Sequence, residues 1–247
     1  MVNPFLTSGS RHDLYLNRVT GFFWTILGVA VVLALTILFL PNQLYLAISN
    51  YLQILTAIAG AIVLLSAWFR YGRQEYLLWA AGAFALWGIS NIAWYMNVLM
   101  GLRNAVFPSL IDIGIIASIF VLAIALWKGI PARKIGLSAL SGVLVIVLVI
   151  PLGVIAVQGP GMPSLVALLY FISCGCLVIA ALNRSPRACP HLFAGSLLFA
   201  LAFMVYPLRE MFFITNPVLN VIGVMVFAGF SLIVIGTLAG MEPANSP

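Results

Sequence analysis

The acid–base chemistry open to this chain of 247 residues rests on Asp13, Glu75, Asp112, Glu210, Glu242, His12 and His191. Nucleophilic or metal chemistry would add only three cysteines and the tyrosines. Cys174 and Cys176 are two apart, so on a helix they point to different sides, and Cys189 stands alone near a helix start. No C-x-x-C pair and no His/Cys/carboxylate cluster has metal-ligand spacing, so neither zinc nor an iron–sulfur centre is expected. Cysteines in apolar settings read as small packing residues. There is no glycine-rich phosphate loop and no H-E-x-x-H. An intramembrane enzyme would need a nucleophile and a base facing each other, and none can be named. Lys128 and Lys134 fall in one link, so no lysine inside a span could carry a retinal-type Schiff base. The reading is a non-enzymatic protein with no cofactor and no metal.

The elements that hold these few groups are membrane spans. Apolar residues make up 64% of the chain and charged residues 6%, and the mean hydropathy is +1.19. A bilayer core of about 30 Å needs roughly 20 apolar residues per helix. Eight such stretches follow one another: Val19–Leu40, Leu44–Phe69, Tyr76–Met100, Pro108–Trp127, Ile135–Val157, Pro163–Leu182, His191–Phe213 and Pro217–Ala239. Pro41-Asn42, Gly159-Pro160-Gly161 and Asn216-Pro217 punctuate the links. The expected fold is all-α, a polytopic helical bundle. A short N-terminal segment 1–18 and a tail 241–247 flank one transmembrane domain, 19–240. No soluble domain outside the bilayer is expected, and no signal-peptide layout precedes the first span.

Charge orients the bundle. With the N-terminus inside, Arg11, Arg18, Arg70, Arg73, Lys128, Arg133, Lys134, Arg184 and Arg187 lie on the inner side, and only Arg103 and Arg209 lie outside. That skew is the one the positive-inside rule predicts. Both termini are expected to be cytoplasmic and the chain to sit in the cell's inner (plasma) membrane. The net charge of +6 therefore reads as topology and not as nucleic-acid binding. Trp68, Trp79 and Trp127 fall near the inner interface, Trp94 and Tyr206 near the outer one, as an aromatic belt would.

Ionisable groups inside a span are costly and mark candidate sites. Asp112 lies roughly 6 Å into span four at 1.5 Å per residue. Arg209 and Glu210 lie near the outer end of span seven, and Arg103 lies in the outer link. Asn91, Asn97, Tyr95 and Tyr206 stand at similar depth. The candidate site is an outer-facing polar pocket formed by spans three, four, seven and eight. Tyr95, Arg103, Asp112, Tyr206, Arg209 and Glu210 would bind a ligand or a partner's helix there. Asp112 is expected to meet Arg103 or a polar group of span three or seven. The alternative is structural: a carboxylate in a helix's first turns is favoured by the helix dipole, and Asp112 could simply anchor spans together. Asn50, Gln53 and Thr56 share or nearly share a face of span two and read as packing hydrogen bonds.

The two halves echo each other. Pro108-Ser109-Leu110-Ile111-Asp112-Ile113-Gly114 opens span four, and Pro217-Val218-Leu219-Asn220-Val221-Ile222-Gly223 opens span eight. Four spans in each half would make a parallel repeat, 19–127 and 135–240. Proline suits a helix start because its missing N–H is unpaired there anyway. Gly114 and Gly223 would admit a neighbouring helix.

Trp87…Trp94-Tyr95, then Arg103, then Phe107-Pro108-Ser109-Leu110-Ile111-Asp112 resembles the multi-pass membrane input domains of bacterial and archaeal signalling proteins. Those domains precede histidine-kinase, PAS or diguanylate-cyclase output domains. The resemblance is loose over 70–215 and close over 103–114. This chain has Asn91 where such domains often carry an acid, and Ile113-Gly114 where a tyrosine often follows the aspartate. No output domain follows span eight before Pro247. The resemblance implies a sensor module acting through a protein partner in the membrane. Beside it stand two other functions, an accessory subunit of a larger membrane complex and a small transporter or permease.

Overall fold

The computed structural model describes residues 8–37, 39–71, 74–100, 107–129, 137–183, 189–212 and 220–239. They form helices α1 (Ser8–Thr36), α2 (Asn42–Arg70), α3 (Glu75–Leu99), α4 (Leu110–Lys128), α5 (Leu137–Gln158), α6 (Met162–Asn183), α7 (Pro190–Met211) and α8 (Val221–Ala239), with no strand among the described residues. All eight are long and apolar enough to cross a bilayer, and the chain is a multi-pass membrane protein. Each expected span falls on one helix. The largest difference is at α1, which starts at Ser8, inside the polar segment 1–18. Once nucleated, a helix gains one backbone bond per added residue, and that sustains it through polar sequence. The membrane-length part of α1 is Asn17–Thr36.

Hydrocarbon offers backbone and hydroxyl groups no water, so each span must satisfy its own polar groups. The hydroxyls of Thr25, Thr36, Thr56, Ser90 and Ser231 each donate to the carbonyl four residues back, at 2.7–3.0 Å. Helix boundaries follow local chemistry. Pro41 precedes α2. Gly159 ends α5 in the left-handed conformation (φ 80) that only glycine adopts freely, and its N–H donates to Ile155 O at 2.8 Å. Pro190 opens α7.

Helix α8 is central and packs on α7, α1 and α2. The α7–α8 contact is made by backbone: a Cβ on Gly195 would lie 2.7 Å from the Gly229 carbonyl oxygen, so only glycine fits. Gly114 abuts Ser90 of α3, and Gly223 abuts Ser49 and Gln53 of α2. Both glycines thus admit a neighbour, as their positions predicted. Helices α2, α3 and α4 follow in sequence, α4 meets α6, and α6 meets α7. Helix α5 packs on α6 and leaves Val145, Ile146, Leu148, Val149 and Leu152 exposed, a surface suited to lipid. Phe230 of α8 holds the centre, with ring centroids 4.4 Å from Phe84, 4.9 Å from Trp87 and 4.6 Å from Phe199. Alternating helix direction gives the bundle two ends. The near end carries the start of α1 and the close of α8. The far end carries the starts of α2, α4, α6 and α8 and the closes of α1, α3, α5 and α7.

Candidate functional site: a far-end cavity beside a buried carboxylate

Ser109 caps α4 and Asp112 is its third residue, the S-x-x-D form of a capping box. Asp112 Oδ2 accepts from the Ser109 backbone N–H at 2.7 Å and from its hydroxyl at 2.9 Å. Asp112 Oδ1 accepts from Tyr170 Oη of α6 at 2.8 Å. Among the described residues the carboxyl group, on a residue 2% exposed, takes these hydrogen bonds from uncharged donors, and Tyr206 of α7 interacts with it as well. Tyr170 in turn stacks on Phe203 at 5.9 Å and lies edge-on to Tyr206 at 5.7 Å. This ties α4, α6 and α7 into one polar and aromatic cluster.

Next to that cluster a cavity of ≈ 250 Å³ opens between α2, α3, α4, α7 and α8. Leu46, Ser49, Asn50 and Gln53 form its α2 wall, and Trp87, Asn91 and Trp94 its α3 wall. Phe203, Tyr206, Arg209 and Glu210 come from α7, Ile115 from α4, and Ile222, Gly223 and Val226 from α8, with Asn220 just before it. All belong to the far half of the bundle. Gln53 stands eleven residues past Asn42, so the wall reaches about 16 Å along α2 at 1.5 Å per residue. The two charged lining residues lie on the last turn of α7, at the mouth, and the inner part is aromatic and amide. Gln53 Nε2 donates to Ser49 Oγ and to Asn50 Oδ1, each at 3.3 Å. Asn220 Nδ2 donates to Asn42 Oδ1, joining the starts of α8 and α2. Pro207 has no N–H, so the Phe203 carbonyl loses its usual helical donor.

The expected site residues divide. Tyr206, Arg209 and Glu210 line the cavity together. Asp112 is beside it but turned into the α4–α6 contact, and is not among the described lining residues. Tyr95 is half-buried and likewise not among them. Arg103 lies outside the described residues, so the expected Asp112–Arg103 contact does too. Asp112 meets Tyr206 of span seven, an expected kind of partner, and also takes a hydrogen bond from Tyr170 of span six, which sequence analysis did not consider. The pocket itself departs from expectation in its membership. Span two supplies a whole wall, and Asn50 and Gln53, read as packing groups, face the cavity. Ser109-x-x-Asp112 was a legible signal for the cap. Nothing in one-dimensional spacing could place Tyr170, 58 residues on, against Asp112.

Elsewhere, Glu75 Oε2 and Lys128 Nζ form an ion pair of 2.9 Å at the near end, with Lys128 5.4 Å from the Trp79 ring centroid. Cys174 is buried and Cys176 exposed, the divergence their spacing implies. Among the described residues no group of three or more His, Cys, Asp and Glu comes together.

Fold and site together define a polytopic α-helical membrane bundle with a largely apolar cavity at one end, into which a few amide and charged side chains are set. No protein-family model, no curated protein and no solved structure matches the chain.

Proposed function

We propose that the chain is a non-enzymatic sensory module of the membrane, which binds a small molecule in the far-end cavity and passes the change to a protein partner. The observation that carries this is the cavity: ≈ 250 Å³ of space whose lining includes amides and aromatics, inside a bundle whose centre is filled by packed aromatic rings. A protein that only filled a place in a complex would have no use for polar groups held open there. The walls come from α2, α3, α4, α7 and α8, so occupancy bears on five helices at once. The described lining offers no paired nucleophile and base. In this reading the far end faces outward, following the skew of basic residues, and both termini are cytoplasmic. A reporter fused at Pro247 that is active only when exported should stay silent.

The test is to fill the cavity. Asn91→Trp places bulk on the α3 wall from a half-buried position. The expected result is a folded protein that loses its ligand-dependent crosslinks to a membrane partner, measured with a photo-crosslinker at the exposed position Leu201. Crosslinking that is the same with an open and a filled cavity would assign the cavity to packing.

The permease reading draws on a different observation. Helix α4 packs on α6 as α8 packs on α2, the exchange that a two-fold relation between 19–127 and 135–240 would produce. Against it, the inner lining carries no charged side chain of the kind that couples an ion to transport. Uptake into proteoliposomes would favour it.

A further inference from the structure

Which molecule could fill the cavity is set by charge, by unpaired hydrogen-bonding groups and by size. Among the described lining residues the basic and acidic side chains are Arg209 and Glu210. They are neighbours at the mouth, one a base and one an acid, so the lining has no excess of either kind to select a cation or an anion. Below them lie Gln53, Trp87 and Phe203. A ligand charge carried to that depth would lose its water, and the nearby acid Asp112 is turned away, with its oxygens already taken by Ser109 and Tyr170.

Hydrogen-bonding capacity is ample instead. Both hydrogen bonds that Gln53 donates stay within α2, and among the described residues its carbonyl oxygen accepts nothing. Asn91 faces the cavity half-buried, and among the described residues its amide is unpaired. At the floor Trp87 is 1% exposed, and its indole N–H has no acceptor among the described residues. An amide offers a donor and an acceptor side by side in one plane. It therefore suits a ligand edge with the complementary pair, the geometry by which Asn and Gln read base edges. The volume of ≈ 250 Å³ lies just under the roughly 300–1,000 Å³ of pockets for drug-sized ligands.

We infer that the cavity takes a small planar molecule of no net charge that donates and accepts hydrogen bonds along one edge, such as a carboxamide or lactam, and that it rejects ions. This rests on the binding reading above. The test uses three probes of one ring: nicotinamide, neutral; nicotinate, an anion; and 1-methylnicotinamide, a cation. Each is titrated into the full chain in nanodiscs, with thermal unfolding and calorimetric binding as readouts. Nicotinamide is expected to bind saturably and at least tenfold more tightly than either ion. Asn91→Leu is expected to weaken it at least tenfold, and Gln53→Leu likewise. If an ion binds as well as nicotinamide and Asn91→Leu weakens it, the neutral-ligand inference falls while the binding reading stands. If no probe binds saturably, or binding is unchanged in Asn91→Leu, both fall. Should Gln53→Leu not fold, the half-buried Asn91→Leu decides alone.

Discussion

Glu75 and Asp112 each open one helix of the same packed pair, at opposite ends, and each is satisfied by different means. Glu75 starts α3 and meets Lys128 in the last turn of α4, with side chains 74% and 45% exposed. Asp112 starts α4, is 2% exposed, and takes its hydrogen bonds from Ser109 and Tyr170. Water supports a full charge pair at the near end, because two solvated ions meet there at little cost in desolvation. In the interior, a second buried ion would add its own desolvation penalty. Hydroxyl and backbone donors fill the carboxylate's acceptor sites without one. The wet acid therefore contributes little to stability, and the dry one holds three helices in register.

The contrast is sharpest at Tyr170. Tyr170→Phe keeps the ring stack but takes from the buried Asp112 Oδ1 its Tyr170 donor, which should cost about 2–3 kcal/mol in unfolding by SDS titration in bicelles. A loss below about 0.5 kcal/mol would mean that the bond does not hold α4 to α6. Asp112→Asn keeps the shape but turns an amide N–H₂ towards either Ser109 or Tyr170, all of them donors. A loss of about 1–2 kcal/mol is expected, with nicotinamide binding retained because Asp112 does not line the cavity. Loss of binding at unchanged stability would move Asp112 from anchor to ligand contact. Ser109→Ala removes one of two donors to Oδ2 and should cost about 1 kcal/mol, as cap substitutions do. Lys128→Ala should cost least, below about 0.5 kcal/mol, with the difference vanishing at high salt. A larger, salt-insensitive loss there would erase the distinction between the two ends.

Helix existence and extent were legible because lipid demands long apolar runs whatever the neighbours are. Leu44–Phe69 became Asn42–Arg70 for that reason. Part of the site was legible too. Tyr206, Arg209 and Glu210 stand within one turn or so of each other on α7, and local spacing alone brings them to one end. Asn50 and Gln53 were visible as polar residues on span two, but a packing amide and a cavity amide look identical in sequence. Their role depends on whether α8 and α3 close over them.

By itself the sequence determined that this protein lies in a membrane as eight helices, roughly where each crosses, and at which end its intramembrane charges gather. These follow from hydropathy, proline and glycine chemistry, and helix rise, all local properties. Only the tertiary structure decided that α6 supplies the partner of Asp112, that α8 is central, and that α2 walls the cavity. Those outcomes depend on which helix faces meet. In an apolar chain nearly every face is hydrophobic, so side-chain pattern hardly distinguishes them. Close contacts such as Gly195 on Gly229 and Gly223 on Ser49 select the neighbours instead, and they exist only once the helices are packed.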